Sequence, residues 1–386
     1  MPSTGFTSGR SRKRSEKAEC SMLTASSRHK LAQGLTCPIG KVDLMSRGCV
    51  QGGGMPLGDS RPVLVTGGTG FVGSHLVELL LEKGYSVTCL VRDLRQLRWL
   101  EGKEVRLLQG DCTQSESLGA AVQGVSQIFH CAGLTKAKHP RDYYTVNHLG
   151  TKNLLEACAR HNPGLEKFIL VSSQAAAGPS LDGRPVGVGD TPHPVSDYGR
   201  SKLFAEEEVL VCQDRFPVVI IRPTSVYGPR DADVFELFRW ASRGLTVEMT
   251  GGDRYLNLCY VEDLTAALLL SAGQETKSGS VYFVAENKAY SWADFRKLLL
   301  STGGVTARTI KLPYRAAWLL GLVSEIGSLF SARPALANRQ KVREAAQRYW
   351  LCDVGKIEND LCFRAEYPLQ KGLELTWKWY RKNNWL

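Results

Sequence analysis

From residue 61 onward, short apolar runs alternate with longer stretches of helical spacing. The first run, Pro-Val-Leu-Val-Thr at 62–66, is closed by glycines, as a buried parallel strand would be. Residues 71–83 carry apolar positions at helical intervals, and 87–91 form the next strand. Further strands are expected at 105–108, 127–130, 168–171 and 218–221, with helices at 143–160 and 197–211. Such alternation predicts an α/β fold with a doubly wound parallel sheet covered on both faces. After Pro223 the pattern turns irregular, with helices at 234–242, 263–271, 292–301 and 315–329 between short strands. The expected division is one unit whose residues 61–223 are mainly the doubly wound part and whose residues 224–386 are mainly a smaller, mostly helical, substrate-binding part.

Residues 1–60 show no sustained period and are rich in Ser, Gly, Arg and Lys. A disordered tail is expected, because such a segment buries too little apolar area to offset its ordering entropy. Met55, just before the first strand, is a candidate natural start. The tail holds nine Lys and Arg against four acids and so supplies part of the chain's net charge of +11. A mild positive excess suits an anionic cofactor, and no stripe of cations interleaved with aromatics points to nucleic acid. No apolar run reaches 18 residues, so no spanning helix is expected. The most apolar stretch, 316–330, is broken by Glu325 and reads as an amphipathic helix over a substrate pocket, with membrane contact not expected. The eleven cysteines lack metal or Cys-x-x-Cys spacing and read as reduced thiols of a cytoplasmic protein.

Thr66-Gly67-Gly68-Thr69-Gly70-Phe71-Val72-Gly73 lies between the first strand and the first helix. Glycines there allow a tight turn, a close approach of backbone to a pyrophosphate, and close helix–strand packing, which predicts a Rossmann-type dinucleotide site. The second strand ends Leu90-Val91-Arg92-Asp93. An NAD site usually places an acid there, about 20 residues past the glycines. Val91 occupies that place, and the Arg92 guanidinium suits a 2′-phosphate, which favours NADP over NAD. Asp93 can pair with Arg92 or serve the ribose. Asp111 and Cys112, after the third strand, are candidates for the adenine, although Asp111 fits a cap equally well. Cys131, Ala132 and Gly133, after the fourth strand, leave room for the ribose and nicotinamide.

Tyr198 and Lys202 are four residues apart and share a helix face. A phenol of ordinary pKa about 10 transfers protons poorly at neutral pH, and a neighbouring ammonium lowers that value. Ser173 follows the fifth strand and can bond a substrate oxygen. With these pieces the chain, from Pro62 to the end, resembles the extended short-chain dehydrogenase/reductase family, also called the NAD-dependent epimerase/dehydratase family. Further matches are His130-Cys-Ala, Val146-Asn147-His-Leu-Gly-Thr-Lys-Asn-Leu-Leu, Arg222-Pro223 through Gly228-Pro229, Tyr260-Val-Glu-Asp263 and the C-terminal Thr376-Trp-Lys-Trp-Tyr-Arg. The resemblance implies that Tyr198 is the general acid/base, Lys202 its cationic and ribose-binding partner, and Ser173 the donor to the substrate oxygen. It implies that Asn147 sustains a relay water, that Gly67, Gly70, Phe71, Val72 and Gly73 hold the pyrophosphate, and that Pro223 borders the nicotinamide. Ser173 is preferred to Ser172 by its register with Gly178.

The form Arg222-Pro-Thr-Ser225 resembles the dihydroflavonol reductase and 3β-hydroxysteroid dehydrogenase branch, where sugar-nucleotide members commonly carry Asn. The expected reaction is hydride transfer between a nicotinamide cofactor and a carbonyl or secondary alcohol. A sugar-nucleotide epimerase or dehydratase with retained NAD, and a non-catalytic dinucleotide sensor or scaffold, are the alternatives. Lys136, Lys138, His139, Gln174 and Arg254 are candidate pocket residues, with His139 equally at home as a solvated loop residue. The resemblance implies a homodimer paired through helices 143–160 and 197–211, with Leu154, Leu155, Leu203 and Val209 serving either that interface or the sheet.

Overall fold

The computed structural model describes residues 61–329 and 338–386, so the expectations for the tail and for Met55 lie outside the described residues. Seven strands make the central sheet: β1 Pro62–Thr66, β2 Ser86–Val91, β3 Arg106–Gln109, β4 Gln127–His130, β5 Lys167–Val171, β6 Val218–Pro223 and β7 Ser280–Val284. Their order across the sheet is β7-β6-β5-β4-β1-β2-β3, and every pairing is parallel. The chain order reverses between β1 and β4, and the crevice beyond their carboxyl ends is where a doubly wound sheet binds its ligand.

The strands are apolar throughout because both faces are covered, and alternate residues go to opposite cores. Val63, Val65, Ile169, Val171, Val219 and Ile221 join one core cluster with Leu76, Val77 and Leu80 of helix α1 (Phe71–Glu82). Leu64, Phe168, Leu170, Val218 and Ile220 face the other way. They pack with Leu154, Leu155 and Cys158 of α2 (Gly150–His161) and with Ala205 and Val209 of α3 (Asp197–Val211). Leu154, Leu155 and Val209 therefore serve the sheet, and the apolar side chains these helices leave exposed are Phe204 and Val211.

One expectation needs correction. The helix expected over 143–160 is not uniform: a short helix at Pro140–Tyr143 runs into a π-helical stretch at Tyr144–Leu149 before α2 begins. Beyond residue 223 the helices of eight or more residues are α4 (Phe235–Ser242), α5 (Val261–Gly273), α6 (Trp292–Gly303), α7 (Tyr314–Leu329), α8 (Arg339–Ala346) and α9 (Leu369–Lys382), and β7 from this stretch completes the edge of the central sheet. Leu264 and Leu268 of α5 join the first core cluster. A third core gathers Phe238 of α4, Phe295 and Leu299 of α6, and Leu373, Trp377 and Tyr380 of α9. The helix expected over a pocket, α7, packs against α8 but leaves Leu319, Leu320 and Val323 exposed. Among the described residues no helix is long and apolar enough to cross a membrane.

Candidate active site

The glycine loop is shaped by contacts that no side chain permits. Gly67 has φ +73°, and a Cβ on it would lie 2.7 Å from the Ala132 backbone nitrogen. A Cβ on Gly73 would lie 2.2 Å from the Gly67 carbonyl oxygen. The loops after β1 and β4 thus touch at the reversal point. Gly70 caps α1 with no side-chain acceptor, and no acid stands in the first turn. The helix N-terminus around Phe71, Val72 and Gly73 is therefore left for an anion. These features fit a dinucleotide pyrophosphate.

The adenine end is less committed. Arg92 is exposed at the end of β2. Asp93 does not pair with Arg92: its carboxylate accepts from Arg95 Nε at 3.0 Å and Nη2 at 3.2 Å. Asp111 behaves as a turn cap, with Oδ1 accepting from the Thr113 backbone at 2.8 Å and its hydroxyl at 2.9 Å. Cys112 is buried and Cys131 half-buried, and burial pushes both thiols up to about 12. They are space-filling groups, not nucleophiles.

At the other end, β5 delivers two serines with different partners. The Ser172 hydroxyl donates to the Glu206 carboxylate. Ser173 caps a short helix at Gln174–Ala177, accepting from the Ala175 backbone at 3.1 Å, and its hydroxyl acts on the Tyr198 phenol. Ser196 caps α3 and so starts the helix just before Tyr198. Burial pushes the Tyr198 phenol up from its ordinary value, and the Ser173 hydroxyl and the Lys341 ammonium pull it back. Lys202 is buried, and its Nζ donates to the Val171 carbonyl at 2.7 Å. Burial lowers it to about 8, against the opposing pull of Glu206. A Cβ on Gly133 would lie 3.5 Å from Lys202 Nζ, which brings the loop after β4 to the same place.

Asn147 is fixed in the π-helical stretch. Its Oδ1 accepts from the Leu134 backbone at 2.7 Å, and its Nδ2 donates to Ser201 Oγ at 2.9 Å. A buried chain of hydrogen bonds runs on from its carbonyl, and each direction is set by the one before it. Thr151 donates to the Asn147 carbonyl at 2.6 Å, so its oxygen accepts from His130 Nε2 at 3.0 Å. His130 Nδ1 is then bare and accepts from the Thr66 hydroxyl at 2.6 Å, whose oxygen accepts from the Ala132 backbone at 3.2 Å. Burial lowers His130 to about 3, which keeps it neutral in this chain. The sequence places His130 in a motif but gives it no task; its task is to tie the glycine loop to the turn that carries Asn147.

Other candidates divide. Pro223 ends β6, and after it the buried Thr224 hydroxyl lacks a partner among the described residues, as does Gln174 Nε2 beside Ser173. Lys136 pairs with Asp233 at 2.5 Å. His139 caps the helix at Pro140–Tyr143. Arg254 is spent on its own loop, donating to the carbonyls of Met249, Thr250 and Gly252. Sequence reasoning missed Lys341 of α8, whose Nζ lies 5.3 Å from the centre of the Tyr198 ring. No spacing signal could reveal a partner so distant in the chain.

The family model for the NAD-dependent epimerase/dehydratase family matches residues 63–285. The chain belongs to that family. It is a nicotinamide-dependent oxidoreductase of the extended short-chain type. It is 28% identical to the mouse (Mus musculus) sterol-4-alpha-carboxylate 3-dehydrogenase, decarboxylating, over 77% of this chain and 85% of that one. It is 32% identical to the human (Homo sapiens) 3 beta-hydroxysteroid dehydrogenase type 7, over 69% of this chain and 79% of that one. Among solved structures, the UDP-glucose 4-epimerase of Thermus thermophilus in complex with NAD is 25% identical, with a TM-score of 0.68 over 83% of this chain and 99% of that chain.

Proposed function

We propose that the protein interconverts a carbonyl and a secondary alcohol on a bulky apolar substrate, with net hydride exchange to NADP in preference to NAD. The observation that carries the reading is the convergence of Ser173, Tyr198 and Lys202 beside the loop after β4. The bound nicotinamide supplies or accepts the hydride. Ser173 and Tyr198 hold the substrate oxygen by their hydroxyls. In reduction Tyr198 gives that oxygen its phenolic proton, and in oxidation the phenolate takes it back. Lys202 lends a positive charge to the phenolate, and Asn147 holds the turn from which a relay water would refill the proton. The unpartnered Gln174 and Thr224 groups await polar partners on substrate or cofactor, because a buried polar group without one is costly. Val91 and the exposed Arg92 support the NADP preference. The sterol and steroid substrates in the relatives' names support an apolar substrate.

We further propose a dinucleotide-binding part over 61–223 and a substrate-binding part over 224–386, a cytoplasmic location, and a homodimer seated on the exposed side of α2 and α3. A clean monomer by light scattering at micromolar concentration would remove the dimer. The central test is cofactor and turnover. Fluorescence titration should give tighter binding of NADPH than of NADH, and Tyr198→Phe should abolish turnover while sparing that binding. Tightly retained NAD would point to internal redox on a sugar nucleotide instead, and unchanged activity in Tyr198→Phe would refute the acid/base role.

A further inference from the structure

Although 143 residues separate them, α8 lies on the head of the catalytic helix. Gln340 Oε1 accepts from the Asp197 backbone at 2.7 Å, and its Nε2 donates to Asp197 Oδ2 at 2.7 Å. The cap of α3, Ser196, donates to the Glu344 carboxylate. Asn338 caps α8 itself by accepting from the Lys341 backbone at 2.8 Å. These bonds fix the rotation of α8 and aim Lys341 at Tyr198. The Lys341 side chain is 34% exposed, and its Nζ pairs with Glu344 Oε2 at 3.0 Å while facing the Tyr198 ring.

We infer that α8 is a clamp on the catalytic helix whose Lys341 holds a second ammonium over the Tyr198 ring, making Lys341 a positioning residue for proton transfer. The inference rests on the reading of Tyr198 as acid/base. Lys202 alone does not exhaust the charge around the phenol, because its Nζ is directed to the Val171 carbonyl. An ammonium over an aromatic face is attracted to the ring, and more so when the ring is a phenolate. The groups facing Tyr198 are Ser173 from the end of β5, Tyr143 with its ring centre 6.0 Å away, and Lys341 and Glu344 from α8. Lys202 lies one turn along the same helix. Asp233, already paired with Lys136, also attracts the Lys341 charge. Glu344 opposes the effect, yet its two oxygens are spent on Lys341 and Ser196. The balance at the ring is cationic, and burial holds the phenol up against it.

The test reads the phenol directly, without a substrate. The full chain is labelled with tyrosine carrying carbon-13 at Cζ and saturated with NADP, and Tyr198→Phe identifies the resonance. Removing the charge with Lys341→Gln should raise the titration midpoint by about one pH unit, or carry it beyond about pH 11. Lys341→Arg should restore the wild-type midpoint, and Lys341→Gln with Glu344→Gln, which removes both charges, should fall between. An unchanged midpoint in Lys341→Gln would overturn the inference. So would an equal rise in Lys341→Arg, which would mean packing, or a wild-type phenol that stays protonated through about pH 11. Turnover is judged separately: activity surviving in Tyr198→Phe ends the acid/base reading, while the titration still decides whether Lys341 acts on the phenol.

Discussion

Beneath the catalytic residues lies an ion pair almost wholly withdrawn from water. Glu206, one turn past Lys202, is 2% exposed, and Arg222 of β6 is 5% exposed. Arg222 donates from Nε at 3.0 Å and from Nη2 at 2.6 Å, and Ser172 gives the carboxylate a further bond. Replacing Arg222 by Met keeps the length of the side chain and removes the guanidinium. The carboxylate is then left charged with one hydroxyl donor. Breaking such a pair costs about 3–5 kcal/mol, because the remaining charge stays buried without its partner. Removing both charges together is far milder. In Arg222→Met with Glu206→Leu, the loss should be about 1 kcal/mol for the stranded Ser172 hydroxyl plus any packing mismatch. The assay is urea unfolding of the full chain monitored by far-UV circular dichroism, comparing midpoints at constant slope. The single variant should be the least stable of the set, and the double variant should regain most of the loss. A single-variant loss below about 1 kcal/mol, or a double variant no better than the single, would refute the claim that buried charge is what makes this site costly.

Two further outcomes depend on particular atoms. Gly67→Ala forces a left-handed backbone, which costs about 1–2 kcal/mol, and drives a Cβ into the Ala132 backbone. NADPH affinity by fluorescence titration should fall at least about tenfold, and an unchanged affinity would dissociate the turn from the cofactor site. Burial pushes the Asp231 carboxyl up to about 7. A carboxyl raised in the native state costs nothing where both states are protonated, so its stability penalty grows as pH rises from about 4 to about 7 and is constant above that. Asp231→Asn keeps an acceptor for the Asp233 backbone N–H, gives up the one for Val234, and should gain on the wild type steadily between those pH values. A difference in Tm independent of pH would show that Asp231 ionises normally.

The sequence by itself determined the doubly wound sheet, because buried parallel strands demand unbroken apolar runs and each crossover helix shows its own period. It also determined the glycine loop and the shared face of Tyr198 and Lys202, since these are local geometries written within a few residues, whereas the preference for Ser173 and the helical C-terminus came from the family resemblance. It could not place β7 in the central sheet, because pairing with β6 is a long-range contact. Nor could it choose between cap and ligand for Asp111, or between solvated loop residue and pocket residue for His139, which depends on where the neighbouring groups point. Leu154, Leu155 and Val209 went to the sheet only because the tertiary structure turned those faces inward. The same is true of the polar interior. The His130 chain, the Glu206–Arg222 pair and Lys341 over Tyr198 join residues far apart in the chain, and charge, hydrogen bonding and burial act through space.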